Sequence, residues 1–169
     1  MRKIILSGIA ILGAAWGIYL LVFSFIPHED RIRWMLLDTR DEFNDQDFVA
    51  ISGNLSMDFK TTERGLKKQA VTGMLLQFFK RTRKSDGSPG YRVEIRESAV
   101  TVEIDESQDP PTAEIFVPCE FFVNEGKNER TTRWKSLATV DFTGTCILED
   151  GRWKIRRAKR QTTSGQTPF

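Results

Sequence analysis

The segment Thr112-Ala113-Glu114-Ile115-Phe116-Val117-Pro118-Cys119-Glu120-Phe121-Phe122-Val123 decides the fold. Apolar side chains occupy every odd position from 115 to 123, whereas the charged residues Glu114 and Glu120 occupy even positions. This period of two predicts a β-strand with one buried face. The same alternation indicates further strands on both sides of this segment, over residues 91–96, 100–105, 134–148 and 152–156.

Helical patterns precede these strands. Apolar residues repeat at helical spacing over 28–44 and again over 63–83, and Asp45 is a suitable N-cap for a shorter helix between them. A brief strand is expected over 57–60, and residues 161–169 show no apolar pattern and are expected to form a flexible tail. Because helices come first and strands last, we predict an α+β fold with helices packed on one face of a curved antiparallel sheet.

The longest apolar run lies ahead of these helices. No Asp, Glu, Lys, Arg or His occurs from Ile4 to Ile26, and a helix of that length, rising about 1.5 Å per residue, covers the hydrocarbon core of a bilayer, which is about 30 Å thick. The bulky residues 23–27 at its end do not fit a signal-peptide cleavage site. Residues 1–27 are therefore predicted to be a short cytoplasmic segment and an uncleaved transmembrane anchor.

The flanking charges predict the orientation of this anchor. Arg2 and Lys3 precede it, so the positive-inside rule places residues 1–3 in the cytoplasm and 28–169 outside it, in the periplasm if the cell is bacterial. Gly13 and Gly17 lie four residues apart on one helix face, a spacing that allows two such helices to approach closely. The bilayer is thus the first predicted partner.

Composition excludes several classes of function. The chain has 25 Lys and Arg and 23 Asp and Glu, and two of the basic residues precede the apolar run, so the rest is near neutral and unlike a nucleic-acid-binding domain. His28 is the only histidine and no Cys-x-x-Cys pair occurs, so neither a zinc site nor a cofactor is expected. Cys119 and Cys146 could form a disulfide, or remain two buried free thiols.

Five features together carry a family resemblance. They are the order of helices, the acidic segment 44–48, the alternations over 100–104 and 112–117, and the ending Glu149-Asp150-Gly151-Arg152-Trp153-Lys154-Ile155. With these features, residues 28–160 resemble the nuclear transport factor 2-like superfamily, also called SnoaL-like or cystatin-like. The resemblance implies a cone with a cavity between the sheet and the long helix. The residues expected to line it are Leu75, Phe78, Phe79, Phe121, Trp134, Phe142 and Trp153.

That superfamily contains dehydratases, isomerases and cyclases, and also binding modules, so the fold alone does not give the function. Its enzymes place Asp, His or Tyr in the cavity. In this sheet the inward positions are apolar except for Ser136, and a bulge would most readily turn Glu97 inward. A carboxylate left in water is a poor general base. We therefore predict a domain without catalytic residues.

Charge runs indicate an alternative use of the surface. Arg152, Lys154, Arg156 and Arg157 form a basic terminal strand that could dock an acidic partner or anionic lipid, although the same residues could equally be a solvated sheet face. The sequence thus predicts a single-pass membrane protein whose extracytoplasmic domain binds an envelope protein or self-associates. Binding of a small apolar ligand or lipid in the cavity, and a SnoaL-like enzyme, are the two alternatives.

Overall fold

A computed structural model describes residues 26–126 and 131–167. It has the predicted α+β architecture, with helices on a curved sheet. The elements, in chain order, are α1 (His28–Asn44), α2 (Phe48–Gly53), β1 (Leu55–Thr61), α3 (Lys68–Thr82), β2 (Tyr91–Ile95), a 3-10 turn (Glu97–Ala99), β3 (Thr101–Asp105), β4 (Thr112–Asn124), β5 (Trp134–Glu149) and β6 (Arg152–Gly165).

Helix α1 has the predicted bounds and closes one half of the sheet. Its apolar stripe buries Ile32, Met35, Leu36 and Phe43. At its last residue, the Asn44 side chain pairs with the backbone of β2, accepting from the Val93 amide at 2.7 Å and donating to the Val93 carbonyl at 3.0 Å. The helix is therefore fixed to the sheet by both apolar burial and an amide bridge.

The other helices begin later than predicted. The N-cap of α2 is Asp47 rather than Asp45, and its Oδ1 accepts from the amides of Val49 and Ala50 at 3.1 and 2.9 Å. Helix α3 begins at Lys68 instead of residue 63. Gly65 has a φ of +62°, a left-handed conformation that an α-helix cannot contain, so residues 62–66 form a turn instead.

The sheet has six strands in the order β1-β6-β5-β4-β2, and β3 also pairs with β4. Both β2 and β3 pair with β4. Strand β2 pairs with its second half and β3 with its first half. Among the strands of the described residues, β1 alone runs parallel to its neighbour, β6. The predicted hairpin turn joins β5 to β6, where Asp150 and Gly151 both have positive φ, at 53° and 74°, as a tight two-residue turn requires.

The prediction of a flexible tail is wrong for residues 161–165. Strand β6 continues to Gly165, which pairs with Ala138, and Thr162 pairs with Val140. The first half of the long strand β5 offers its backbone groups to these residues, so they complete the ladder. Their side chains are exposed and polar, which is why no apolar period marks this part of the strand.

The core lies between α1 and the inward face of β4 and β5. Ile32, Val140 and Cys146 are completely buried. The Phe43 ring contacts the rings of Phe79 and Phe121, with centroids 5.2 and 5.9 Å away, and so joins α1, α3 and β4. This packing confirms the predicted inward parity of β4.

The predicted membrane anchor falls mostly outside the described residues. Ile4, Gly13 and Gly17 are among the residues left undescribed, and Ile26 is the first residue described. Over 26–126 and 131–167, no helix is long and apolar enough to cross a membrane. The anchor stays a prediction from the sequence.

Candidate ligand cavity

A cavity of about 300 Å³ lies between α3 and the edge of the sheet formed by β1, β6 and β5. This volume is twice that of a dry cavity of about 150 Å³ that holds benzene. It is therefore large enough for an apolar molecule of about a dozen non-hydrogen atoms. Apart from Thr61, its walls are apolar and consist of Phe59, Leu66, Val71, Met74, Leu75, Phe78, Phe142 and Ala158.

The cavity exists because α3 does not pack closely on this part of the sheet. Phe79 is the one described residue of α3 that is fully buried. Leu75 and Val71 lie one and two turns earlier on the same helix face, but both stay half-buried. On the sheet side, Ala158 pairs with Gly144, so the floor there carries nothing larger than a methyl group.

The mouth of the cavity carries charged side chains. Glu63 and Arg64 come from the turn before α3, and Arg160 comes from β6. Lys159 also borders the cavity, but it pairs with Thr143, so its side chain points to the other face of the sheet. Arg160 pairs with Phe142 in the sheet, so the two side chains share the face that looks toward α3. Its side chain is half-buried, whereas those of Glu63, Arg64 and Lys159 are exposed.

Sequence reasoning missed Arg160 at this mouth because of a bulge in β6. Cys146 pairs with Ile155 but Thr145 pairs with Arg157, so Arg156 is an extra residue in the ladder. The bulge reverses the alternation that starts at Trp153, and it brings Ala158 and Arg160 to the inward face. An unbroken period of two would have placed both residues outward.

Three of the seven predicted lining residues, Leu75, Phe78 and Phe142, do line the cavity. Phe79 and Phe121 are buried beside it in the core. Trp153 is also buried, but at the other end of the sheet. There its Nε1 donates to His28 Nδ1 at 3.1 Å, and the two rings meet edge to face with centroids 5.4 Å apart.

Trp134 was predicted to line the cavity but lies on the opposite face of the sheet. Phe121 pairs with Ala138 and Phe122 with Ser136, so Leu137 is an extra residue that turns Trp134 and Ser136 outward. On this outer face of the sheet, the Arg92 guanidinium lies 4.9 Å from the centre of the Trp134 ring and 5.0 Å from the centre of the Phe122 ring.

The two residues considered for catalysis are also outside the cavity. Glu97 is exposed, and its carboxylate accepts from Arg40 Nη1 at 3.2 Å. Ser136 donates a hydrogen bond to Glu120 on the outer face. Among the described residues that line the cavity, Glu63 is the one carboxylate and no histidine, tyrosine or cysteine occurs.

The possible disulfide between Cys119 and Cys146 is wrong. Cys146 pairs with Ala113, six residues from Cys119 along β4, so the two cysteines are about 20 Å apart. A disulfide requires Cα atoms within about 7 Å. Both thiols are free and buried, and burial raises the pKa of each to about 12. The alternative of two buried free thiols is the one the fold adopts.

The predicted basic strand is partly neutralised by nearby acceptors. Arg156 Nε lies 2.9 Å from Asp58 Oδ2, and Lys154 Nζ lies 3.7 Å from Glu149 Oε2. Arg157 donates to the Asp58 carbonyl at 3.2 Å, while Arg152 is exposed. Docking of a partner on this strand stays a prediction. Within the described ranges, no group of three or more His, Cys, Asp or Glu could hold a metal ion.

Comparison with solved structures shows the same fold. Aln2 from a Streptomyces species aligns with a TM-score of 0.64 at 13% identity, covering 79% of this chain and 89% of its own. A nuclear transport factor 2-like protein with a cystatin-like fold from Novosphingobium aromaticivorans aligns with a TM-score of 0.62 at 14% identity, covering 90% of both chains. A protein from the same organism, named as a candidate scytalone dehydratase, has a TM-score of 0.57 at 14% identity, covering 80% of this chain and 84% of its own.

These identities are low, so the likeness shows the fold and not the activity. No protein-family model matches the chain, and no curated protein matches it. The chain therefore has the cone-shaped, cystatin-like fold that the resemblance of residues 28–160 implied. Its function has to be argued from the cavity itself.

Proposed function

We propose that this domain binds a small apolar molecule in the cavity under α3 and does not transform it. The observation that carries the proposal is the apolar character of the walls: among the described lining residues, the charged ones are Glu63, Arg64, Lys159 and Arg160, and Glu63, the one carboxylate, is exposed. Small-molecule sites in proteins are typically concave, mostly apolar and about 300–1,000 Å³ in volume. This cavity lies at the small end of that range.

The expected affinity is modest. A ligand of about a dozen atoms would bury roughly 200 Å² of apolar surface, and at roughly 25 cal/mol per Å² this corresponds to about 5 kcal/mol. The equivalent dissociation constant is about 0.2 mM. Additional polar contacts at the mouth would be needed for tighter binding.

A dehydratase- or cyclase-like enzyme is the second candidate, because one protein with this fold is named as a candidate scytalone dehydratase. Such chemistry needs a general acid or base held against the substrate. Glu63 is the one carboxylate of the described lining, and it is exposed on a turn outside the apolar walls. The geometry therefore favours binding over catalysis.

Fluorescence titration of the full chain with naphthalene tests this proposal. The protein is reconstituted in lipid nanodiscs, with empty nanodiscs as the blank. Val71 lines the cavity, so Val71→Phe should fill it and lower naphthalene binding by about tenfold or more. Ala70→Phe is the matched control, because Ala70 is the neighbouring residue and is exposed. Equal binding by wild type and Val71→Phe would contradict the proposal.

We propose in addition that residues 4–26 hold this domain at a membrane. The support is the uncharged run from Ile4 to Ile26, followed after Pro27 by the helix that closes the sheet. Alkaline carbonate washing of membranes from the native cells tests this: the full chain should stay in the pellet. Its release into the wash would show that the run does not span the bilayer.

A further inference from the structure

We infer that two copies of this chain associate through the outer face of the sheet, the face opposite α1 and α3, about a twofold axis that runs along β5. This surface is separate from the cavity, which lies on the inner face. The outer face is acidic on one side of β5 and basic on the other, and this distribution of charge carries the inference.

One row of paired residues shows the distribution most clearly. On the acidic side, Glu103 of β3 pairs with Glu114 of β4, and Glu114 pairs with Thr145 of β5. On the basic side, Thr145 pairs with Arg157 of β6, and Arg157 pairs with Lys60 of β1. Because residues paired across adjacent strands point to the same face, these five side chains share the outer face. Two carboxylates, one hydroxyl and two cations therefore follow one another across the sheet.

The next row adds a cation and an aromatic ring to the same face. Lys159 of β6 pairs with Thr143 of β5, and Thr143 pairs with Phe116 of β4. Lys159 is exposed, and Phe116 is half-buried. Two groups of charges on the outer face can now be defined. The acidic strip consists of Glu103 and Glu114, and the basic strip consists of Lys60, Arg157 and Lys159.

The two strips do not neutralise each other within one chain. Adjacent strands lie about 4.8 Å apart, so Glu114 and Arg157, which flank β5, are about 10 Å apart. None of the ion pairs among the described residues involves the acidic strip, Lys60 or Lys159. Arg157 donates to two backbone carbonyls instead. Like charges directly opposite each other are destabilising, as in the pair of Glu103 and Glu114, so opposite charges from a partner would stabilise both strips.

A second copy of the chain supplies those charges at matching positions. A rotation of 180° about an axis along β5 exchanges the two sides of the sheet and keeps the height of each residue along its strand. It places Glu114 of one copy over Arg157 of the other and Glu103 over Lys60, and the symmetry forms each contact twice. A twofold axis across the strands would instead place like charges over each other, which is unfavourable.

The residues near this axis allow the two sheets to approach. Thr143 and Thr145 present short side chains there, and aligned sheets pack about 10 Å apart with their strands within about 30° of each other. The half-buried Phe116 adds apolar surface beside the axis. Asp141 lies further along β5 and would approach its own copy, so the contact is centred on Thr145. Apolar burial favours association, and the charges select the orientation.

Crosslinking near the axis tests whether two copies meet there. Thr143 is exposed on β5, so Thr143→Cys places one thiol of each copy near the axis, and a bismaleimide that bridges about 10 Å should join them. The full chain is treated in detergent micelles. Wild type should not be joined, because its two cysteines are buried. Asp45→Cys, at an exposed position between α1 and α2, is the matched control and should give far less dimer.

Charge reversal then tests the orientation in the Thr143→Cys chain. Glu103→Lys with Glu114→Lys makes the acidic strip positive, and Lys60→Glu with Lys159→Glu makes the basic strip net negative. All four positions are exposed, so the core is untouched. Each variant alone should form about tenfold less dimer, because like charges then face each other. An equal mixture of the two variants should recover the dimer, because opposite charges then meet in both contacts.

The mixture also gives the outcome that would overturn the orientation. Circular dichroism checks that each variant is folded, and two folded variants that do not form a dimer in the mixture would contradict the twofold axis along β5. Raising the salt concentration from about 50 to about 500 mM should weaken the mixed dimer severalfold, because salt screens exposed charges. A mixed dimer that is insensitive to salt would contradict pairing between the strips.

The remaining outcomes concern the surface itself. Equal crosslinking of Thr143→Cys and Asp45→Cys, or crosslinking of neither, would overturn the inference. Reversal variants that form as much dimer as the parent would also overturn it and would assign association to another surface, such as the predicted anchor. A monomeric Thr143→Cys chain whose basic strip binds vesicles of phosphatidylglycerol would overturn it and would assign that strip to anionic lipid.

Discussion

Helices α1 and α3 lie on the same side of the sheet and are similar in length, at 17 and 15 residues, yet they pack very differently. Helix α1 buries four apolar side chains, whereas α3 buries Phe79 alone. The half of the sheet under α1 is a packed core, and the half under α3 contains the cavity. Helix α1 therefore contributes more buried apolar surface to the stability of the fold than α3 does.

The difference follows from where each helix is attached. Helix α1 is tied to the sheet at both ends, through His28 to Trp153 and through Asn44 to Val93. Near its start, α3 is held instead by one bond to the edge strand β1, where Lys68 Nζ donates to the Leu55 carbonyl at 2.7 Å, and by one bond to α2, where Thr72 Oγ1 donates to Ser52 Oγ at 3.2 Å. Its first turns therefore stand away from the centre of the sheet.

The largest expected effect compares one leucine-sized side chain in each helix. Ile32→Ala on α1 should lower the free energy of unfolding by about 2–5 kcal/mol, because Ile32 is completely buried and leaves a void. Leu75→Ala on α3 should cost about 1 kcal/mol, because Leu75 already borders open space. Urea unfolding followed by circular dichroism measures both. Similar losses of stability in the two variants would contradict the difference in packing between α1 and α3.

A smaller loss of stability is expected for a substitution at the first residue of α1, near the β5–β6 turn. His28→Phe keeps an aromatic ring there but removes the acceptor of the buried Trp153 Nε1. A buried donor without a partner should cost about 1–3 kcal/mol in the free energy of unfolding. Trp34→Phe, at a side chain that is 50% exposed, is the control and should change stability by less than about 0.5 kcal/mol. An unchanged free energy of unfolding in His28→Phe would show that this bond does not fix α1.

The edge under α3 should respond to pH through Asp58. Its folded-state pKa is lowered from the ordinary value of 3.8, so the carboxylate stabilises the fold above that value and stops doing so as the pH falls through the lower, folded pKa. Asp58→Asn should therefore be less stable than wild type near neutral pH. Since Asp58 is 53% exposed, solvent screening limits the difference to less than about 1 kcal/mol.

Unfolding of wild type and Asp58→Asn at neutral pH and near pH 2 measures this effect. The difference between the two proteins should shrink toward the acidic value, because protonation of the wild-type carboxyl removes the charge that its contacts with Ser56 and Arg156 stabilise. Asp45→Asn, at an exposed position between α1 and α2, is the control. A difference between wild type and Asp58→Asn that persists unchanged in acid would mean that the charge of Asp58 is not its source.

The smallest expected effect is that of adding volume beneath α3. Val71→Phe should change the free energy of unfolding by less than about 1 kcal/mol, because the added ring enters existing space. Val140→Phe, at a completely buried position under α1, should instead cost about 1–3 kcal/mol by overpacking. Thermal unfolding of the two variants side by side checks this. An equally large loss at Val71 would mean that no usable cavity lies there.

Local periodicity was sufficient to predict the layers of this fold. The bounds of α1, the inward parity of β4 and the turn at Asp150-Gly151 all follow from short-range patterns. Such patterns depend on which neighbours a residue has along the chain, and each of these elements is regular. The late start of α3 was missed because Gly65, in its left-handed conformation, interrupts an otherwise helical pattern.

The site was predicted only in part, because bulges are set by pairing between strands rather than by the period within one. The apolar wall at Leu75 and Phe78 follows from the stripe of the long helix. The extra residues Leu137 and Arg156 leave no mark in the sequence, yet one turns Trp134 away from the cavity side and the other brings Arg160 to it. Recognising that Arg160 borders the cavity therefore required the register of β5 and β6.

The two buried thiols provide a way to measure how often this sheet opens locally. Cys119 lies on β4 and Cys146 on the adjacent β5, and neither depends on an oxidant for its place in the fold. A maleimide can react with them only in molecules whose strands have separated. The rate of alkylation therefore reports the frequency of opening at two points along one ladder, in the native sequence and without any attached dye.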